Sequence, residues 1–232
     1  MSAPIVAAQR RDPSTRTAGG PSWAAPVALL VLSVIPLIAG SLRLVEIVGG
    51  PQLIPVNARI AAFPAPLVVH VLGAAVYVVL GAFQFPARLR RRRPGWHRGA
   101  GRVLVTAGLA VAGSGLWMTL FYHGAPGGAV LWTVRLLVGS AMAASLVLGF
   151  TAIRRRDIPA HRAWMIRSYA LATGAGTQTI TQGVGEAMFG TSDLSTALSL
   201  SAAWIINAAV AEWLIRRRVA VPRLPTTVGG AR

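Results

Sequence analysis

Six windows of mainly apolar residues recur along the chain, and they restrict the folds that it can adopt. A helix needs about 20 apolar residues to cross the ~30 Å hydrocarbon core of a bilayer. A segment in lipid must also satisfy its own backbone hydrogen bonds, which a helix does internally. The windows comprise residues 23–41, 65–85, 101–122, 127–153, 163–185 and 195–215. We therefore predict an all-α, polytopic membrane helix bundle with six transmembrane helices.

The composition fits one membrane domain with polar ends. Of the 232 residues, 54% are hydrophobic and only 12% are charged, and the mean hydropathy is +0.58. We predict a transmembrane domain over residues 21–218 and disordered tails over residues 1–20 and 219–232. The chain contains no cysteine, which excludes disulfides, thiolate metal sites and Cys-ligated iron–sulfur clusters.

Arginine supplies all 23 basic residues, against 6 acidic ones, and its distribution indicates the orientation of the chain. If the N-terminus is cytoplasmic, only Arg43 and Arg59 fall outside, and Arg135 falls within a window. The others fall on the cytoplasmic side: Arg10, Arg11, Arg16, Arg88, Arg90, Arg91, Arg92, Arg93, Arg98, Arg102, Arg154, Arg155, Arg156, Arg162, Arg167, Arg216, Arg217, Arg218, Arg223 and Arg232. This is the positive-inside pattern.

The orientation leads to predictions about location and partners. Both termini are expected in the cytoplasm, with the chain in the inner (plasma) membrane. The basic connections are expected to contact anionic lipid head groups at the cytoplasmic face. Because membrane topology accounts for nearly all of the basic charge, no nucleic-acid partner is expected.

A weak internal repeat relates two of the cytoplasmic connections. At an offset of 64 residues, LRRRRPGWHR aligns with IRRRDIPAHR, so that His97 matches His161 and Arg98 matches Arg162. The hairpins of predicted helices 2–3 and 4–5 then have the same orientation, which makes the repeat parallel. A histidine at a helix start is by itself an ordinary interfacial residue. The matched positions favour a shared role.

Small residues follow both histidines along their helix faces. At 100° per residue, His97 shares its face with Gly101, Gly108 and Gly115, and His161 shares its face with Ser168, Ala172, Ala175 and Thr179. Such residues ordinarily let membrane helices pack closely. They also leave room for a flat cofactor, in which case His97 and His161 are axial ligands of a haem b.

The other two histidines indicate a second candidate cofactor site, near the opposite face of the membrane. His70 lies early in the second predicted helix, and His123 ends the third. His97 and His123 are 26 residues apart, or ~39 Å of helix, so they cannot share one cofactor. One haem between His97 and His161 and another between His70 and His123 would carry electrons across the membrane. In having four histidines on a bundle, the pattern resembles small dihaem cytochromes b.

Three segments, HVLGAAVYVVLGAFQF, HRGAGR and HRAWMIRSYAL, together resemble the domain-of-unknown-function family 2306 of bacterial predicted membrane proteins. The resemblance covers roughly residues 64–182 and implies a helical membrane protein without an established activity. The matching residues are His70, Gln84 and Phe85; His97, Arg98, Gly101 and Arg102; and His161, Arg162, Trp164, Met165 and Arg167. His123 has no place in this pattern, which leaves one external and two internal histidines.

The candidate cofactor site combines these observations. His97, His161 and His70 are the candidate iron ligands. The residues expected around them are Gln84, Arg98, Arg102, Arg162 and Arg167. Arginine suits such a site because its planar fork binds carboxylates such as haem propionates.

Charged residues within the windows need partners, because burying one in hydrocarbon costs ~3 kcal/mol or more. Near the inner end of the sixth window, Glu212 lies at a depth where Arg102 or Arg167 can pair with it.

Arg135 stands about two turns into the fourth window from outside. Glu186 or Asp193 can neutralise it. Alternatively Arg135 joins the candidate cofactor residues by binding an anionic ligand, a quinone oxygen or a haem propionate.

The fifth window is the most polar, with Thr177, Gln178, Thr181 and Gln182. Exposure of these side chains to lipid is costly, so the helix is expected to face protein or a water-filled cavity. This feature supports an alternative function, a small carrier whose repeats are the two hairpins. Six helices are few for a carrier, so a homodimer is expected.

A third alternative is a non-catalytic scaffold subunit of a larger membrane complex. No HExxH motif, phosphate loop or Ser-His-Asp arrangement indicates an enzyme. Six acidic residues also provide few pairs for acid–base chemistry. The residues leave electron transfer, transport and scaffolding open.

Overall fold

The structure is a computed structural model that describes residues 23–219 apart from residues 56 and 61. Within that part of the chain there are eight α-helices, one short 3₁₀ turn (Ala58–Ile60) and no β-strand. The helices are α1 (Ala24–Ile47), α2 (Ala65–Ala82), α3 (Ala87–Arg92), α4 (Pro94–Phe121), α5 (Gly128–Arg154), α6 (Ile158–Ala172), α7 (Gly174–Phe189) and α8 (Asp193–Val219). The predicted all-α class is confirmed. The predicted tails lie outside the described residues, apart from Val219, which ends α8.

Five helices correspond to predicted transmembrane windows. By length and composition, α1, α2, α4, α5 and α8 can each cross a membrane. Many of their apolar side chains face outward: Val31 is 66% exposed, Leu137 65% and Ile205 69%. A water-soluble protein would bury such side chains in its core, whereas in a membrane protein they contact the lipid.

The prediction of one continuous helix over residues 163–185 is wrong. That window is divided between α6 and α7, which meet at Thr173. Gly174 and Gly176 lie next to the break, and glycine is a poor helix former. A second boundary also differs from the prediction, since α4 begins at Pro94 rather than at residue 101 and therefore includes His97.

A side chain from α8 satisfies the backbone at the break. Asn207 Nδ2 donates to the carbonyl of Ala170 at 3.0 Å, and Thr177 Oγ1 donates to Asn207 Oδ1 at 2.9 Å. Groups freed by a broken helix need such partners in hydrocarbon. The sequence alone does not distinguish Asn207, because its role depends on a helix that is distant in the chain.

The helices pack as two hairpins with additional helices beside them. α2 packs along α4, and α5 packs along α6. α4 and α5 join the hairpins, α8 lies against α5, α6 and α7, and α1 contacts α2 and α7. The buried core lies at the centre of α2, α4, α5 and α6 and comprises Tyr77, Leu104, Val111, Ala112, Met142, Leu146 and Tyr169.

Two tyrosines connect α2 with α6. The hydroxyls of Tyr77 and Ser168 are hydrogen-bonded at 2.8 Å, and Tyr169 Oη donates to the carbonyl of Val78 at 2.8 Å. The two tyrosine rings are 5.9 Å apart between centroids. Gly81 leaves the space that the Tyr169 ring occupies, since a Cβ there would overlap that ring. The contact depends on the Tyr169 ring and on the lack of a side chain at Gly81.

Gly81→Ala should therefore lower stability by about 1–3 kcal/mol, as overpacking does in close-packed interiors. Gly113→Ala is the matched control in α4, because nothing lies within 4 Å of the added methyl group. The measurement is the thermal-unfolding midpoint in detergent, followed as the monodisperse fraction on size-exclusion chromatography. Equal shifts for the two variants would contradict the Tyr169 packing.

Candidate functional site

Most of the described arginines lie at one end of the bundle, which we call the basic end. It comprises the segment from residue 86 to residue 102, the α5–α6 connection with the first turns of α6, and the last turns of α8. Helices that are joined by short connections and packed side by side run in opposite directions. The end of α2, the start of α4, the end of α5 and the start of α6 therefore lie together.

His161 is the fourth residue of α6 and is held by a backbone carbonyl. Asp157 caps this helix by accepting from the Ala160 N–H at 3.0 Å. The Nδ1 atom of His161 lies 2.8 Å from the carbonyl oxygen of Gly149 in α5. A carbonyl can only accept, so Nδ1 carries the hydrogen, and the neutral ring keeps its lone pair on Nε2. Ligating histidines commonly have this arrangement.

Gly149 allows α5 and α6 to approach each other. A Cβ at this position would overlap the end of the Met165 side chain and would lie 3.2 Å from the Cβ atom of Trp164. Both residues belong to the HRxWMxR segment, so this segment packs on α5 while its histidine bonds the Gly149 carbonyl. The orientation of His161 therefore follows from the close packing of these two helices.

His97 is likewise the fourth residue of its helix, α4, but its ring is not held in the same way. Its Nδ1 atom is buried and has no hydrogen-bond partner among the described residues. Arg90 and His161 both lie close to His97. The structure thus brings the two internal histidines to the same region and leaves Nδ1 of His97 without a partner among the described residues.

Gln84 is the second buried and unsatisfied polar group in this region. It lies in the turn between α2 and α3, and its Nε2 atom is buried with no acceptor in the described part of the chain. Its neighbour Phe85 packs edge-on against Tyr169, with ring centroids 5.1 Å apart. An unsatisfied buried amide is costly, so Gln84 is a further candidate for ligand contact.

Arg90 connects these groups, and sequence analysis did not single it out. Its Nη1 atom donates to the carbonyl of Gln84 at 3.5 Å, and its charge acts on His97. In the sequence it is one member of an arginine run. The turn between α2 and α3 brings Arg90 next to the Gln84 carbonyl, and this contact distinguishes Arg90 from the other arginines of the run.

His70 and His123 are not part of this region. His70 Nδ1 lies 3.1 Å from the carbonyl of Val111 and 3.2 Å from Ser114 Oγ. These partners are 14 to 17 residues beyond His97 in α4, or roughly 20–25 Å along the helix. His123 is exposed in the segment between α4 and α5. The structure therefore places His70 apart from the internal pair, deeper in the bundle.

The small residues below His97 do not leave a continuous slot. A Cβ at Gly108 would lie 2.7 Å from the Tyr77 ring and 2.8 Å from Leu146, and Gly115 lies against the His70 ring. By contrast, nothing lies within 4 Å of the Cβ position at Gly101, one turn from His97. The Cβ position of Gly101 therefore borders open space at the basic end, whereas the position at Gly108 is filled by neighbouring side chains.

The candidate arginines differ in their surroundings. Arg98, Arg102 and Arg162 are exposed at the basic end. Arg167 instead forms the ion pair predicted for Glu212: its Nε atom donates to Oε1 at 2.6 Å and its Nη2 atom to Oε2 at 3.1 Å. Its guanidinium also lies over the Trp164 ring, 4.6 Å from the centroid.

The predicted acidic partners of Arg135 are wrong. Within the described residues, neither Glu186 nor Asp193 forms an ion pair with it. Glu186 accepts from Gln182 at 2.7 Å, and Asp193 accepts from the Gly127 N–H at 3.2 Å. The carboxylates thus have other partners. Arg135 is half-buried in α5, remote from the basic end.

Two of the four polar residues that the prediction names in α7, Thr177 and Gln178, bond α8, in agreement with the expectation that this segment faces protein, whereas Gln182 bonds Glu186 within α7. Thr177 bonds Asn207, and Gln178 Nε2 donates to the Leu200 carbonyl at 3.2 Å. Thr181 Oγ1 donates to the Thr177 carbonyl at 3.3 Å. Thr177 and Gln178 therefore have hydrogen-bond partners in α8, and Thr181 has one in α7.

A family model described as a predicted membrane protein (DUF2306) matches residues 67–215, from α2 to α8. The chain belongs to this family. All of the candidate residues of this DUF2306 protein lie within the matched region, so the predicted family resemblance is confirmed and extends into α8, to residue 215. The chain is a multi-pass membrane protein. No curated protein and no solved structure matches it.

Gln84 Nε2 has no hydrogen-bond partner among the described residues, whereas His161 has one, so substitutions of the two residues should affect the stability of the ligand-free protein differently. Gln84→Met should leave the unfolding midpoint unchanged or raise it, because it removes an unsatisfied buried amide. His161→Phe should lower stability by about 1 kcal/mol through loss of the bond to Gly149. Thermal unfolding in detergent measures both variants. The hydrogen-bond assignments are contradicted if Gln84→Met is the more damaging change.

Proposed function

We propose that the basic end of this DUF2306 protein binds one b-type haem between His97 and His161 and that the protein transfers electrons. The observation that carries the proposal is the bond from His161 Nδ1 to the Gly149 carbonyl, which presents Nε2 as a ligand atom. His97 lies nearby with a buried, unpartnered ring nitrogen. His97 and His161 would hold the haem iron through their imidazoles, and the haem would supply a one-electron redox centre.

The residues around the pair suit such a group. The Cβ position of Gly101 borders open space beside His97. Arg98, Arg102 and Arg162 are exposed there and can bind propionates in a planar, bidentate manner. Gln84 Nε2 supplies one further donor. The proposal includes a single haem, since His123 is exposed and His70 bonds α4.

One observation favours the alternative of a small carrier. The break between α6 and α7 makes the crossing discontinuous, and discontinuous helices form substrate sites in many transporters. The polar groups at this break, however, are bonded to Asn207. Of the three buried side-chain polar atoms without a partner among the described residues, those of His97 and Gln84 lie at the basic end, and the third, Ser201 Oγ, lies in α8. Two such atoms beside the histidine pair place haem binding first.

We also propose that the basic end faces the cytoplasm, as the positive-inside pattern indicates, and that the protein resides in the inner membrane with α6 and α7 together forming the sixth crossing. A parallel repeat of the two hairpins is supported by the starts of α4 and α6. Each has proline in its first turn and histidine as its fourth residue.

The haem proposal predicts a coloured protein. Protein purified in mild detergent, after expression with ample haem, should show sharp reduced bands in a dithionite-reduced minus oxidised spectrum, with about one haem per chain. His97→Ala and His161→Ala should each lose these bands, whereas His123→Ala should keep them. Size-exclusion profiles confirm that the variants fold. A monodisperse, haem-free wild-type protein would overturn the proposal.

The orientation is tested with single cysteines, because the chain has none of its own. Arg91→Cys should react with a membrane-impermeant maleimide only after the cells are permeabilised. Gln52→Cys, in the segment between α1 and α2, should react when the inner membrane is intact and the outer envelope is open. The opposite labelling pattern would reverse the proposed orientation.

A further inference from the structure

A groove on the outside of the bundle lies apart from the histidine pair. It has a volume of about 400 Å³ and runs between α5, α6 and α8. Its apolar walls include Ala141, Ala144 and Leu148 from α5, Leu171 from α6, and Ala208 and Ala211 from α8. Small side chains on two facing helices leave the space open.

The charged side chains of the groove all lie at one end. Arg167 and Glu212 are the charged residues in its lining, and they form the ion pair described above. Arg216 follows Glu212 by four residues in α8, which places it one turn closer to the basic end on the same face. The groove therefore extends from the basic end into the apolar part of the bundle.

The charged end of the groove carries more positive than negative charge. Arg167 bonds Glu212 through Nε and Nη2, and its Nη1 atom has no acceptor among the described residues. Arg216 lies one turn beyond Glu212, forms no ion pair with it in the described part of the chain and is exposed. Two arginines therefore accompany one glutamate, and the Arg167 and Glu212 side chains remain 31% and 36% exposed. A net positive charge remains at the mouth of the groove.

We propose that this groove is a binding site for an anionic glycerophospholipid. The phosphate binds Arg167 and Arg216, and an acyl chain lies along the alanine-lined walls. Each basic residue at a membrane surface adds about 1 kcal/mol of attraction to anionic lipid. The site does not depend on haem binding, since it uses neither histidine.

Charge favours a lipid over a second copy of the chain. Two copies in one membrane have the same orientation, so a dimer through this groove brings their basic ends together. Arg216 and Arg217 of each copy would then approach the same residues of the other, and like charges repel. An anionic phosphate instead neutralises them.

Native mass spectrometry of protein from equimolar phosphatidylglycerol and phosphatidylcholine with identical acyl chains tests the site. Wild-type protein should retain phosphatidylglycerol preferentially after detergent removal. Arg216→Gln should reduce that retention about fivefold, the factor for one basic residue. Arg92→Gln removes the same charge from an exposed position in α3 outside the groove and should reduce retention less than Arg216→Gln.

The apolar half of the site has its own pair of variants. Ala144→Trp fills the groove and should also reduce retention, whereas Ala209→Trp changes an exposed alanine of α8 outside the groove and should not. Equal retention of the two lipids, or wild-type retention in both Arg216→Gln and Ala144→Trp, would overturn the proposal. A disulfide between copies of Ala144→Cys would show a second chain in the groove and overturn it as well.

Discussion

The hydrogen bonds of Tyr77 and Tyr169 between α2 and α6 are the interaction on which the rest of the bundle depends. Each joins a phenolic hydroxyl to a partner in the opposite hairpin, Ser168 or the Val78 carbonyl, at 2.8 Å. In hydrocarbon there is no water to replace such partners, so buried polar groups must find them in the protein. The same constraint explains why Asn207 stands beside the break between α6 and α7.

The geometry of the basic end follows from this central contact. Tyr169 packs on Phe85, the residue after Gln84, just beyond the end of α2. Pro86 then starts the turn into α3, which positions Arg90 near Gln84 and His97. On the other hairpin, the close approach at Gly149 orients His161. Two histidines with the same place in their helices therefore differ in their partners.

The sequence predicts well what depends on local properties. Five of the six windows are helices that can span a membrane, since length and hydropathy are properties of a single segment. The Arg167–Glu212 pair was predictable from depth, because charged groups at similar depth seek each other. The His97, His161 and Gln84 candidates came from motif segments, and the structure places all three at the basic end.

Features that depend on contacts between distant segments were not predictable. The break at Thr173 needs a partner from α8, and periodicity within residues 163–185 cannot show it. Arg135 was expected to meet Glu186 or Asp193 at a similar depth, but those carboxylates bond Gln182 and Gly127. Likewise, only the packed helices reveal that Tyr77 and Leu146 occupy the space at Gly108.

The central claim is that the contact between the hairpins brings His97 and His161 together. A cysteine pair at these positions tests it directly in this cysteine-free chain. His97→Cys with His161→Cys should react with a short bifunctional thiol reagent to give an intramolecular cross-link. A pair at His97 and His123, ~39 Å apart along α4, should not. Absence of the first cross-link in folded protein, or equal cross-linking of both pairs, would contradict the account.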